Sequence, residues 1–265
     1  MNIKSFQFKV IDGDVKKNIS KIKELFNDTD LSGTDVVVLP EMWTSGYDLE
    51  NIRQHAEHNL YPILDVIKKL AAENNVNIIA GSVPNIKKDE EVLNTAFVVD
   101  RKGSLVHEYS KIHLVPMLNE PEYLSAGEER AEVFELESEK MGVLICYDLR
   151  FPELFRDLAL TGAKVIFVVA EWPAERSDHW LTLLKARAIE NQCYIVSCNT
   201  SGSQSDGTTF AGKSLIVDPF GVIISEAGHD TEENISADLD LPYIDRIRRD
   251  IPIFSSRRTE LYRHL

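Results

Sequence analysis

The order of its strand-forming segments is what most constrains the fold of this chain. Stretches rich in Val, Ile and Phe, bounded by Gly, Asp, Asn or Pro, recur from IKSFQFKV (3–10) to NISADLDL (234–241). Between some of them the apolar spacing changes to three or four. In DVKKNISKIKELF, Val15, Ile19, Ile22 and Phe26 share one stripe, and residues 60–74, 152–161 and 177–191 read similarly. The order is strand-helix-strand-helix, several strands, strand-helix-strand-helix again, then more strands and a last helix. This predicts an α/β fold of two similar halves, each a sheet covered by helices on one face. With the bare sheet faces packed together, the result is a four-layer α-β-β-α sandwich. Asp12 or Asp14 is placed to cap the first helix, and Pro152 suits a first helical turn. Turn signals at 100–103 and 218–221 join neighbouring strands, and SGSQSDG (201–207) reads as a surface loop. No Ser- or Gly-rich linker divides the chain, so a single domain over residues 1–265 is expected.

Composition narrows the function. At 265 residues and 43% hydrophobic, the chain can bury one large core or two modest ones. A formal net charge of −14 argues against nucleic-acid binding, which needs clustered Lys and Arg. The one basic cluster (Arg246, Arg248, Arg249, then Arg257 and Arg258) is broken by acids and prolines and reads as a solvated helix face. There is no apolar run of about 18 residues, and MNIKSFQFKV reads as a strand, so neither membrane insertion nor secretion is expected. Three cysteines (Cys146, Cys193, Cys198) give no disulfide framework and no metal spacing, which fits a reducing cytoplasm. Cys193 and Cys198 flank an apolar strand and are expected to pack.

Three polar residues stand where strands end: Glu41 after DVVVLP, Lys111 after LVHEYS, and Cys146 after GVLI. Sites in open α/β sheets gather at the carboxyl ends of strands. Each residue alone says little, since a free cysteine is commonly a small core hydrophobe. Together, LPEMWTSGY (39–47), YSKIHLVP (109–116) and GVLICYDLRFPE (142–153) resemble, in order, the three signature segments of the nitrilase superfamily of carbon–nitrogen hydrolases. The resemblance continues through EWPAERSDHWLTLLKARAIENQCYIVSCNTSG (171–202) and AGKSLIVDPFG (211–221). Within the superfamily the chain is similar to the amidase branch acting on ω-amides of 2-oxo dicarboxylates. Val115 departs from the Phe of many members, which bears on pocket shape.

The resemblance implies a Glu41–Lys111–Cys146 triad, and the chemistry gives these residue types a reason. Amide hydrolysis needs a nucleophile, a proton shuttle and donors where the oxyanion develops. Cys146 attacks, with the Lys111 ammonium expected to depress its pKa. Glu41 takes the thiol proton, passes it to departing ammonia and later activates water. Lys111 and the Tyr147 backbone N–H are the expected oxyanion donors. Glu120 matches a fourth acidic position of the family, expected to orient Lys111 and the amide, with Glu122 as the competitor. His113 is expected to be a satisfied structural histidine, and His179 to hydrogen-bond a loop. No H-E-x-x-H, paired-cysteine or phosphate-cradle pattern occurs, so neither metal nor cofactor is expected.

An anionic substrate of so acidic a chain needs local positive charge. Arg150 either grips a substrate carboxylate or ties the turn by pairing with Asp148 or Glu153; Trp172 and Tyr47 are candidate pocket walls. The implied reaction is hydrolysis of the terminal amide of a small substrate such as 2-oxoglutaramate or 2-oxosuccinamate through a thioester. The alternatives are an N-carbamoyl amino-acid hydrolase, a nitrilase, or a non-catalytic relative. The resemblance also implies a homodimer, and apolar Ile251, Ile253, Phe254 and Leu261 suggest a docked tail.

Overall fold

In strand β2 (Val36–Val38) three successive valines are all buried, because both faces of its sheet are covered. Val36 and Val38 pack into the core between two sheets, while Val37 packs with Phe6, Ile22, Phe26 and Ile67 beneath helices. The computed structural model describes residues 1–87, 90–204 and 207–262.

The remaining elements follow in chain order. The first half contains β1 (Asn2–Gln7), α1 (Val15–Asp28), then β2, α2 (Ile52–His55), β3 (Glu57–His58), α3 (Ile63–Asn74), β4 (Asn77–Ile86), β5 (Val92–Val99) and β6 (Leu105–Ser110). After α4 (Glu120–Tyr123) come β7 (Phe134–Leu136), β8 (Glu139–Ile145), α5 (Pro152–Leu160), β9 (Val165–Ala170), α6 (Ser177–Asn191) and β10 (Tyr194–Asn199). The chain then runs through β11 (Leu215–Val217), β12 (Ile223–Glu226), β13 (Glu233–Asp238) and α7 (Leu241–Asp250). Every expected strand is present; the two-residue β3 is an addition that the pattern did not signal.

One sheet has the order β13-β1-β2-β4-β5-β6, with β3 beside β4; the other is β12-β11-β10-β9-β8-β7. Around β1, β2 and β4 the pairing is parallel, and β13, β5 and β6 add antiparallel edges. The second sheet repeats this scheme, with β8, β9 and β10 parallel and β7, β11 and β12 antiparallel. β1 is thus the counterpart of β8, and β2 of β9. The sheets meet face to face, β1 on β10, β4 on β9 and β5 on β8. The halves are tied by β13, which returns from the end of the chain to pair with β1.

Local signals act as expected at the helix starts. Asp14, rather than Asp12, caps α1, its carboxylate accepting from the Lys17 N–H, and Pro152 sits in the first turn of α5. The basic cluster is only partly solvated. Arg246 pairs with Asp240 at 2.5 Å and Arg249 with Asp250 at 3.3 Å, whereas the half-buried Arg248 lies over Phe254 and donates to the Ala163 carbonyl. Phe254 lies between Arg156 and Arg248 of its own chain, while Ile251 and Leu261 are exposed. Of the expected surface loop and tail, residues 205–206 and 263–265 lie outside the described residues.

Glu41 owes its position to a break in β4. Pairing of β4 with β5 shifts register between Ile79 and Ser82, and Gly81 there adopts φ +61°. A Cβ on Gly81 would stand 1.9 Å from the Pro40 carbonyl oxygen. The gap lets Ser82 hold the turn after β2, its N–H donating to Pro40 O and its hydroxyl oxygen accepting from the Met42 N–H. Gly81→Ala is expected to cost about 1–3 kcal/mol from the left-handed backbone alone and to lower kcat by moving Glu41. Thermal unfolding with parallel kinetics checks this; unchanged kcat in the folded variant contradicts it.

Candidate active site

Four strand ends from the two sheets converge on one buried cluster. Glu41 follows β2, Lys111 follows β6, Cys146 follows β8, and Glu171 follows β9. Glu41, Lys111 and Glu120 are fully buried. Lys111 Nζ donates to Glu41 Oε1 at 3.0 Å and to Glu120 Oε1 at 2.8 Å. A lone buried ammonium would be costly; here two carboxylates surround it, and their charges hold it protonated against burial.

The carboxylates are fixed by further donors. Glu41 Oε1 accepts from Asn94 Nδ2 at 2.8 Å, and Oε2 accepts from the Glu171 backbone N–H at 2.8 Å. Glu120 Oε2 accepts from the Val115 N–H at 2.8 Å. Glu122 is exposed, whereas Glu120 is buried against Lys111. Tyr47 stands inside the cluster. Its hydroxyl lies 2.8 Å from Glu41 Oε1 and 2.7 Å from Glu120 Oε1, with one proton to share between them. Burial and both carboxylates push its pKa well up.

Cys146 is 5% exposed and adopts φ +43°, a left-handed conformation that costs energy for any residue with a Cβ. The sharp turn comes directly after β8 and starts a helical segment, Cys146–Arg150. Asp148 braces it, accepting from Tyr109 Oη at 2.7 Å and from the Ile145 N–H at 3.2 Å. His113 Nδ1 lies 2.9 Å from Asp148, and its ring stacks on Phe151 at 3.5 Å. His113 therefore supports the turn. Arg187, from the ARAIEN stretch of α6, donates to the Leu149 carbonyl through Nε and Nη2.

The expected depression of the Cys146 pKa is not what the site produces. Burial, then the Glu41 carboxylate, push the thiol well above its ordinary range, and among the charges Lys111 opposes them. Lys111 does not outweigh burial because it is already shared by two carboxylates. The balance at Cys146 therefore favours the thiol over the thiolate. Cys193 and Cys198 are fully buried, with pKa values raised to about 12 by burial, as packing residues should be.

A cavity opens over Cys146 and is walled by Tyr147, Arg150, Glu171, Trp172 and Arg176. Arg150 lies over the Trp172 ring at 4.7 Å and over Tyr147 at 5.8 Å, with Nη1 3.4 Å from His179 Nδ1. Among the described residues it pairs with neither Asp148 nor Glu153. Trp172 is locked by its N–H to Asn199 Oδ1 and its indole N–H to the Arg176 carbonyl. Asn94, Arg176 and Glu171 received no role from the sequence. Glu171 carried the same signal as Glu41, an acid directly after a buried strand.

Cys146, Lys111, Glu41 and Glu171 thus meet at the strand ends of a two-sheet α/β sandwich, with Glu120 of α4 on Lys111. The carbon-nitrogen hydrolase family model matches residues 3–249, and the chain belongs to that family. It is 44% identical over 264 residues to the "hydrolase in agr operon" of Staphylococcus aureus, covering 99% of this chain and 100% of that one. It is also 44% identical over 260 residues to the 2-oxoglutaramate amidase of Bacillus subtilis, covering 98% of each. Among solved structures, Saccharomyces cerevisiae Nit3, of branch 10 of the nitrilase superfamily, superposes with a TM-score of 0.88. It is 29% identical, with 97% of this chain and 96% of Nit3 covered.

Proposed function

We propose that this protein is a cofactor-free amidase that hydrolyses the terminal amide of small carboxylate-bearing substrates, of the 2-oxoglutaramate or 2-oxosuccinamate type, through a thioester. The observation that carries the reading is the buried Glu41–Lys111–Glu120 cluster at the Cys146 thiol, beneath a cavity edged by Arg150 and Arg176. The similarity to a 2-oxoglutaramate amidase over nearly the whole chain supports the substrate class.

In this mechanism Sγ of Cys146 attacks the amide carbon while its proton passes to Glu41. Proton transfer and attack are coupled, because a free thiolate beside Glu41 is disfavoured. The oxyanion forms against Lys111 Nζ and the Tyr147 N–H, which lies in a first helical turn with no intrahelical acceptor. Glu41 gives the proton to the leaving nitrogen, ammonia departs, and a thioester remains. Water then enters, loses a proton to Glu41 and attacks the thioester; the acid leaves and the thiol is restored. Glu120 keeps Lys111 oriented throughout, and Arg150 and Arg176 supply the positive charge that a carboxylate needs in a chain of net charge −14.

Glu41→Gln keeps the shape but cannot shuttle protons, so kcat is expected to fall by about 10²–10⁴-fold. Near-normal rates would move the base role to Glu120 or His113. Ammonia release from a panel of ω-amides and nitriles tests the function itself, with 2-oxoglutaramate expected among the fastest. Turnover of nitriles alone, or of no compound, contradicts the reading. The reading extends to a cytoplasmic homodimer, consistent with three free cysteines and with exposed Leu160 and Ile189 on α5 and α6. Sedimentation showing only monomer would contradict the dimer.

A further inference from the structure

Glu171 is the one carboxylate of the cluster that the mechanism above leaves unused. It follows β9, the counterpart of β2, so the two central parallel strands each end in a buried acid. The two acids touch through the Glu171 N–H on Glu41 Oε2. Glu41 and Glu120 have donors on both oxygens, from Lys111, Asn94, Val115 and the Glu171 backbone. Glu171 is 1% exposed, and among the described residues neither of its carboxyl oxygens has a hydrogen-bond partner. Its side chain lines the cavity beside Cys146, Arg150 and Arg176.

A buried carboxylate with no donor on either oxygen, beside the Glu41 side chain, is costly. One ammonium cannot neutralise three carboxylates. Burial, then the charges of Glu41 and Asp12, push the Glu171 pKa well above the carboxylate range, with Lys111 alone opposing. Burial and the neighbouring carboxylates thus favour the neutral acid, which has one O–H donor and one carbonyl acceptor.

We propose that Glu171 is a specificity-determining residue that donates its O–H to a neutral acceptor oxygen of the substrate, the 2-oxo group. This deepens the amidase reading and rests on it. Arg150 and Arg176 hold the terminal carboxylate, the amide reaches Cys146, and Glu171 reads the carbon between. A neutral donor welcomes a ketone oxygen and gives no charge to hold the α-ammonium of a 2-amino analogue such as glutamine. It also spares an anionic substrate a further negative charge.

The test compares kcat/KM for 2-oxoglutaramate with that for glutaramate, which lacks only the oxo group. Glu171→Ala is expected to lower this ratio about tenfold, the value of one hydrogen bond to a buried acceptor. Glu171→Gln, neutral and still a donor, is expected to restore most of it, and its circular dichroism and thermal unfolding report whether the site remains folded. An unchanged ratio in Glu171→Ala overturns the proposal, as does a Glu171→Gln ratio no better than that of Ala. Preference of the wild-type protein for glutamine over 2-oxoglutaramate also overturns it. Wild-type protein that hydrolyses neither ω-amide would overturn the amidase reading and this inference with it. Wild-type turnover with an unchanged variant ratio overturns this inference alone.

Discussion

Cys146→Ala is expected to release no measurable ammonia and to stay folded. A nucleophile contributes through the covalent step, so its loss should reduce kcat by at least about 10⁴-fold. The turn that carries it is held by other groups: Asp148 on Tyr109 and the Ile145 N–H, and Arg187 on the Leu149 carbonyl. Alanine accepts φ +43° no worse than cysteine does, so stability should change by no more than about 1 kcal/mol. Steady-state ammonia assays with thermal unfolding check both halves. Residual activity above a thousandth of wild type would remove Cys146 from the mechanism.

Lys111→Ala should be nearly as damaging to rate and far more damaging to stability. It deletes an oxyanion donor, worth about 10²–10³ in kcat. It also leaves Glu41 and Glu120 buried with no cation between them, and breaking a buried ion pair costs about 3–5 kcal/mol. On the alkaline side this contribution is secure in the native protein. The Lys111 pKa is raised above its unfolded value, so deprotonation of Lys111 takes nothing from it below about pH 10 and removes it only as pH climbs beyond that. Denaturant melts and kcat measured on the same samples decide the matter. A variant that keeps a tenth of wild-type kcat would make Lys111 structural, and one that unfolds at the wild-type midpoint would contradict the cluster's energetics.

The two-sheet architecture was legible because strand and helix periods alternate cleanly, and because both faces of β2 and β9 had to be apolar. Glu41, Lys111 and Cys146 stood out as polar ends of apolar runs within recognisable motifs. What escaped depends on how distant segments meet. Asn94 lies within β5, where nothing separates an inward amide from a turn signal, and it faces Glu41 only because β5 crosses beside it. The state of the Cys146 thiol was misjudged because sequence shows one lysine near one cysteine in function. It does not show that two carboxylates and burial reach that thiol as well. Arg150 could have closed on Asp148 or Glu153. In the fold Asp148 is taken by Tyr109, His113 and Ile145, and the guanidinium turns to Trp172 over the cavity.

In the proposed mechanism Cys146 carries the acyl group between loss of ammonia and attack of water. Acid quenching of the wild-type enzyme during turnover of 2-oxoglutaramate, followed by mass spectrometry of its peptides, tests this most directly. An adduct with the mass of the substrate less ammonia, labile as a thioester is, is expected on the peptide containing Cys146 and absent from Cys146→Ala. An adduct on Cys193 or Cys198, or steady ammonia release by Cys146→Ala, would contradict it.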